Sequence, residues 1–160
     1  MARESFEQGL MPSIVDRLID PDSGGTAWRH GYGVDEMVDA VRRDLEELLN
    51  TRQSHAGLAE KFGEVRCSVL AYGLPDLTSV TSITPQQRAE IGRIIEAAVA
   101  RFEPRLRDVS ASMIDPGDGK ERAVKFRIAA RLNVDPAPDV AFDTILELTS
   151  GRYSVQPTPP

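Results

Sequence analysis

The sequence predicts an α+β fold: N-terminal helices followed by an antiparallel meander of three to four strands, with the helices packed on one face. Three observations predict it. Apolar residues at 34, 37 or 38, 41, 45, 48 and 49, and again at 91, 94, 95, 98, 99 and 102, fall on helical stripes. From 124 the period drops to two: Val124, Phe126, Ile128, Ala130, Leu132 and Val134 alternate with Lys125, Arg127, Ala129, Arg131 and Asn133, as in a strand with one buried and one wet face. The turn Asp135-Pro136-Ala137-Pro138-Asp139 then leads into a second such row at Val140, Phe142, Thr144, Leu146 and Leu148. Helices first and strands after them form an α+β layer arrangement.

The elements follow in order. Over 12–19, apolar residues at 14, 15, 18 and 19 share one helical face, with Ser13 as N-cap, Asp16 in the first turn and Pro21 as the stop. So short a helix is marginal alone and is expected to dock on its own domain or on a partner. Residues 22–33 hold four glycines and read as a linker. Trp28 within it is expected to pack back on the core, because of its large apolar area. Asp35 to Asn50 forms the first long helix, with an Asp39–Arg43 pair at i,i+4 and Asn50 as C-cap.

Residues 51–83 are poorly periodic. They predict a helical turn at 58–62, extended chain at 66–72 and a turn at Gly73-Leu74-Pro75-Asp76, wrapping over the core through Val69, Leu70, Tyr72, Leu74 and Leu77. Thr84-Pro85-Gln86-Gln87 is a capping box that opens the clearest helix. Pro104 ends it, since the residue before a proline is pushed out of the α region. Val109, Ala111 and Met113 alternate in a first strand, Asp115 to Gly119 turns the chain, and the two rows described above follow. A short Tyr153–Val155 strand finishes the sheet. The chain thus divides into a docking helix and Gly-rich linker (1–33), a main domain (34–155) and a mobile Pro-rich tail (156–160).

Composition narrows the function. With 160 residues, 41% hydrophobic and 28% charged, the chain suits one packed domain. Its net charge of -6 argues against nucleic acid or an anionic membrane as the main partner. Cys67 is the sole cysteine, so an internal disulfide is excluded and a reducing compartment is expected. The N-terminus carries acids where a signal peptide would be apolar, and no apolar run approaches the roughly 20 residues of a membrane span. These features predict a cytoplasmic protein without direct membrane insertion.

Sites for chemistry are thin. His30, His55 and Cys67 are widely spaced and share no metal-ligand motif, and Cys67 reads as a small buried hydrophobe. Gly24-Gly25 and Gly31-Tyr32-Gly33 lack the Lys-Ser/Thr of a phosphate loop. Acids are plentiful, but a carboxylate pair for glycoside hydrolysis also needs a cleft that grips sugar. With 6% aromatics and one tryptophan, nothing suggests a sugar platform. No catalytic residue, metal, cofactor or small-molecule substrate is therefore expected. Glu103-Pro104-Arg105 stands apart. In extended chain around Pro104, residues i and i+2 point to one side with Cα atoms about 7 Å apart. The two are either solvated charges at a corner or a charged fork for a partner, since arginine offers bidentate donors.

Phe102-Glu103-Pro104-Arg105-Leu106, after a capped helix and before a meander, resembles the signature of the phage baseplate wedge and sheath-initiator family. Three further stretches are similar to the TssE branch of that family, the baseplate subunit of type VI secretion systems: Pro12 to Leu18, Val41 to Arg52 and Tyr72 to Leu77. The ordered likeness runs from Pro12 to Val155. The glycine-rich stretch before 33 is longer than the pattern, and Ala40 and Ala71 stand where polar residues are expected.

The resemblance implies a non-catalytic structural subunit recruited to a baseplate near the inner membrane. It implies that Glu103, Pro104 and Arg105 contact other wedge subunits, and that the chain starts a contractile sheath by strand addition to sheath subunits. An edge strand suits this, because it offers unpaired N–H and C=O groups. The candidate edge is the row Val140, Phe142, Thr144, Leu146 and Leu148, or the short Tyr153–Val155 strand. Two other readings stand beside it. One is a peptidoglycan hydrolase, after the family's old lysozyme-like label; the other is a small regulatory anti-adaptor of the same fold.

Overall fold

The alternating run at 124–134 becomes the middle of a four-stranded antiparallel sheet. In the computed structural model, β1 (Leu106–Ile114), β2 (Ala123–Leu132), β3 (Asp139–Glu147) and β4 (Arg152–Thr158) lie in the order β1-β2-β3-β4, the predicted meander. The structure describes residues 10–19, 31–53, 62–75, 85–114, 123–135, 137–147 and 150–158. They fall into two compact units, residues 1–41 and 42–160. The division lies inside the helix α2 (Val34–Asn50), not at its start.

In the larger unit, strand register explains the burial. Ile128 faces Phe142, Phe126 faces Thr144, Thr144 faces Val155 and Leu146 faces Tyr153. All of these are buried, with Phe126, Ile128 and Phe142 fully so. On the wet face the same register sets Arg127 opposite Asp143, joined by two hydrogen bonds of 2.8 and 3.1 Å, and Arg131 opposite Asp139 at 2.9 Å. The hydrogen bonds from Arg127 hold the Asp143 carboxyl below its ordinary range. Ion pairs this exposed stabilise little, but they disfavour a slipped register.

β1 carries a feature not predicted. Its pairing shifts between Arg107 and Ser110, so Asp108 and Val109 together face Ala130, a β-bulge. Asp108 has φ 53, a left-handed conformation that Asp tolerates better than most residues. The extra residue moves the inward side from even to odd positions. Leu106 is buried, and Val109, Ala111 and Met113 then face inward in partial burial.

The helix α4 (Pro85–Phe102) buries Ile91, Ile95, Ala98 and Val99 and packs on β1. Gly92 lets the backbones approach: an added Cβ would sit 3.2 Å from the Ala111 carbonyl oxygen. Glu96 accepts the Ala111 N–H at 2.7 Å. The predicted cap Thr84 lies outside the described residues, as do Leu77, His55 and residues 58–61.

The segment after α2 corrects the sequence reading. In place of extended chain at 66–72 there are a helical turn α3 (Gly63–Arg66) and a 3₁₀ turn (Val69–Ala71). Ser68 drives this locally: its hydroxyl donates to the Val65 carbonyl at 2.7 Å and accepts the Leu70 N–H at 3.3 Å. The turn points Val69 and Leu70 to solvent, 85% and 49% exposed, and sends only Ala71 and Leu74 into the core. Cys67 is exposed, not buried. A parallel bridge, Arg52 to Leu74, ties the segment to the end of α2 through Leu74 N–H to Thr51 O at 2.9 Å and Gln53 N–H to Leu74 O at 2.8 Å.

β4 also runs further than predicted. It reaches Thr158, paired with Ala141, so residues 156–158 are strand and not tail.

The smaller unit contains α1 (Ile14–Ile19) and the start of α2. Ser13 and Asp16 cap α1 reciprocally: the Ser13 hydroxyl accepts the Asp16 N–H at 3.1 Å, and the Asp16 carboxylate accepts the Ser13 N–H at 2.8 Å. Asp16 is buried, while the apolar face of Ile14, Val15, Leu18 and Ile19 is exposed. Leu10 bridges Tyr32, and Glu36 accepts the Gly33 N–H at the start of α2. Trp28 and the rest of the expected linker through residue 30 lie outside the described residues.

Gly73 tests this framework. It has φ +100, and a Cβ there would lie 2.3 Å from the Thr51 carbonyl oxygen, whereas Gly63 meets nothing within 4 Å. Gly73→Ala should lower unfolding free energy by about 2 kcal/mol or more, and Gly63→Ala should leave it unchanged or raise it by up to about 1 kcal/mol, measured by urea denaturation.

Candidate functional site: the helix-to-strand corner and the sheet edges

Pro104 stops α4 as predicted. The last helical bond runs from Glu103 N–H to Val99 O at 2.9 Å, and Leu106 N–H then returns to Glu103 O at 3.1 Å. The chain turns at this point and is not extended, so the two charges meet at close range. The guanidinium of Arg105 forks onto the Glu103 carboxylate, Nε to Oε1 at 2.7 Å and Nη2 to Oε2 at 2.6 Å, and the Arg105 N–H adds a third bond at 3.2 Å. Nη2 also donates to Asp44 on α2. Asp44 is further paired with Arg43 at 3.3 Å.

Beyond β2, Asn133 gives its N–H to Arg105 O at 2.7 Å and its carboxamide to Pro104 O at 3.4 Å. One corner thus ties together α2, α4, β1 and the β2–β3 loop. Glu103 is 4% exposed, while Pro104 forms the exposed apex.

The electrostatics follow from burial. Desolvation works against the charge on Arg105, but the hydrogen bonds and attraction of Glu103, then of Asp44, outweigh it, and its pKa is raised. Arg105 stays protonated at any pH the fold meets. Tyr72, stacked edge-on against Phe102 at 5.3 Å, has its pKa raised by burial and then by Glu47, Asp44 and Glu103. The Glu103–Arg105 fork predicted as a possible partner site is therefore assembled internally. The sequence reading missed Asp44 and Asn133, because no local spacing points to partners 61 and 29 positions away.

The sheet edges correct a second expectation. Val140, Phe142, Thr144 and Leu146 lie on β3, which pairs with β2 on one side and β4 on the other, and all four are buried. They are not an edge. Leu148 is outside the described residues. The edges of the sheet are β1 and β4, so of the two candidates the strand containing Tyr153–Val155 is the edge. β1 lies under α4, with the Ala111 N–H taken by Glu96.

On β4, Tyr153 exchanges two bonds with the Asn50 side chain: N–H to Oδ1 at 2.9 Å and Nδ2 to its carbonyl at 2.8 Å. Tyr153 thus turns its peptide groups away from β3, and by the period of two so do Val155 and Pro157. A proline fits there because no ladder bond needs its missing N–H.

The fold and this corner define an α+β protein whose best-placed charges are bonded into its own frame. Among the described residues no three His, Cys, Asp or Glu side chains gather as a metal site would require, and no helix is long and apolar enough to cross a membrane. The family model of baseplate wedge protein gp25 matches residues 35–137, and the chain belongs to that family. No curated protein matches the chain significantly. Among solved structures, a chain of "The baseplate complex from the type VI secretion system" is similar at 16% identity and a TM-score of 0.49, over 75% of this chain and 95% of that one.

Two substitutions test the chemistry of the site. Arg105→Ala leaves Glu103 buried without its counter-charge and should cost about 3 kcal/mol of unfolding free energy. Arg105→Lys should recover only part of it, because an ammonium cannot fork. The Tyr153 phenol is buried, its hydroxyl has no hydrogen-bond partner among the described residues, and burial pushes its pKa from 10.0 up to about 12. A raised folded-state pKa contributes stability that is intact below pH 10 and lost as pH rises toward 12. Tyr153→Phe should be neutral or stabilising at pH 7 and should flatten that alkaline loss, read from urea midpoints on either side of the window.

Proposed function

We propose that the chain is a non-catalytic structural subunit of a type VI secretion baseplate, the role of the TssE branch of its family. It binds other wedge subunits at the corner of Glu103, Pro104 and Arg105 and starts the contractile sheath by strand addition at β4. Its location would be cytoplasmic, at a baseplate near the inner membrane. The observation that carries this reading is the corner itself, within the stretch matched by the baseplate wedge family. Pro104 is presented on a turn whose flanks are fixed by Glu103, Asp44 and Asn133. A rigid, preformed apex loses little freedom on binding. In this reading Arg105 lies half-buried behind Pro104, and its fork with Glu103 holds the apex in place.

The test replaces the apex and spares the frame. Pro104→Glu adds bulk and charge at an exposed turn position, so the purified variant should keep wild-type circular dichroism and unfold within a few degrees of wild type. In cells with fluorescent sheath, it should nonetheless abolish sheath assembly. Normal sheaths from a folded, expressed variant would refute the corner as a wedge contact.

A further inference from the structure

The two edges of the sheet are closed in different ways. β1 is covered by a whole helix, whereas β4 is met at Tyr153 by a single side chain from the end of α2. The Asn50 carboxamide makes three hydrogen bonds and uses both of its donors: Nδ2 donates to Tyr153 O at 2.8 Å and to Glu46 O at 2.8 Å, and Oδ1 accepts the Tyr153 N–H at 2.9 Å. Exchanging its oxygen and nitrogen would break all three bonds, so the network fixes its orientation. A carboxamide has the same donor and acceptor as a peptide group. At Tyr153 it therefore occupies the place that one residue of a fifth strand would take.

The next outward position, Val155, is 3% exposed, and the one after it is Pro157, which has no N–H to offer. The first half of the β4 edge is thus shut and the second half is short of a donor. Both are recognised ways of protecting an edge from unwanted pairing.

We infer that Asn50 is an edge guard. It keeps the β4 edge closed in the free chain, and strand addition at β4 begins with release of its carboxamide from Tyr153. The guard follows from the geometry alone; its part in sheath initiation rests on the proposed strand addition. Asn50 suits a releasable device. It is the last residue of α2 and is itself exposed, so its side chain can turn to water without unpacking the core.

The experiment follows the Tyr153 amide by hydrogen exchange in NMR, in the full chain and in Asn50→Ala, and measures binding of the purified sheath subunit to both. In the wild type the Tyr153 amide should be protected despite its place on an edge strand. In Asn50→Ala its exchange should rise by about tenfold or more while the Phe126 and Ile128 amides of β2 keep their protection, a local opening and not a global one. The variant should also bind the sheath subunit several-fold faster.

An unprotected Tyr153 amide in the wild type would overturn the guard without recourse to any variant. Unchanged exchange in Asn50→Ala would overturn it as well. Faster exchange with no gain in sheath-subunit binding would uphold the guard and count against strand addition at β4, so the two ideas fail separately.

Discussion

One cation holds the larger unit in its form. Arg105 neutralises a carboxylate that is almost fully buried, Glu103, and reaches a second, Asp44, on another helix. A buried ion pair gives little net stability compared with well-packed apolar residues, because desolvation cancels much of the attraction. What it supplies is a strict condition on geometry: Glu103 is tolerable where it sits only if the guanidinium is aligned with it. That condition fixes the turn at Pro104, and the turn fixes the direction in which β1 leaves α4. Asn133 extends the constraint to the far end of β2. The corner is therefore a register device for the whole helix-to-sheet junction.

Downstream of the corner, sheet order and edge protection follow from each other. β1 starts beside α4 and stays there, with Gly92 permitting the close approach and Glu96 taking a strand N–H that would otherwise lack a partner. The meander then carries the chain away, leaving β4 as the edge opposite the helix-covered one. The end of α2 meets β4 through Asn50. The same helix bears Asp44 near its middle, so one element touches both the corner and the edge.

Periodicity made most of this architecture legible. The helical stripes of α2 and α4 and the alternation of β2 and β3 reflect burial, and the stop at Pro104 reflects the sterics of proline; sequence encodes both directly. The failures have physical causes of their own. The sequence leaves β3 as a possible edge because β4 is weakly written: only Tyr153 and Val155 are buried there, and Pro157 disguises the rest of the strand. The bulge has a faint signal in the sequence, the change of apolar parity from Leu106 to Val109. The turns at 63–71 are held by local backbone bonds and by the Ser68 hydroxyl between them, and follow no apolar pattern.

The corner was half legible. Glu103 and Arg105 stood out, but whether they faced a partner or each other turned on Asp44, which sits 61 positions from Arg105. Asn50 was recognised as a helix end without its second role, because its partner Tyr153 is 103 positions away. Long-range polar contacts of this kind depend on the finished fold, and a single sequence does not spell them out.

The central claim is that Arg105 couples α2 to the helix-to-strand junction, and a double-mutant cycle on Asp44 and Arg105 tests it most directly. Unfolding free energies would be measured for the wild type, Asp44→Asn, Arg105→Ala and the pair. The account predicts a coupling of about 1–2 kcal/mol between the two positions. Costs that simply add, to within about 0.5 kcal/mol, would mean that the two residues are neighbours without being partners, and the corner would lose its place as the constraint on the fold.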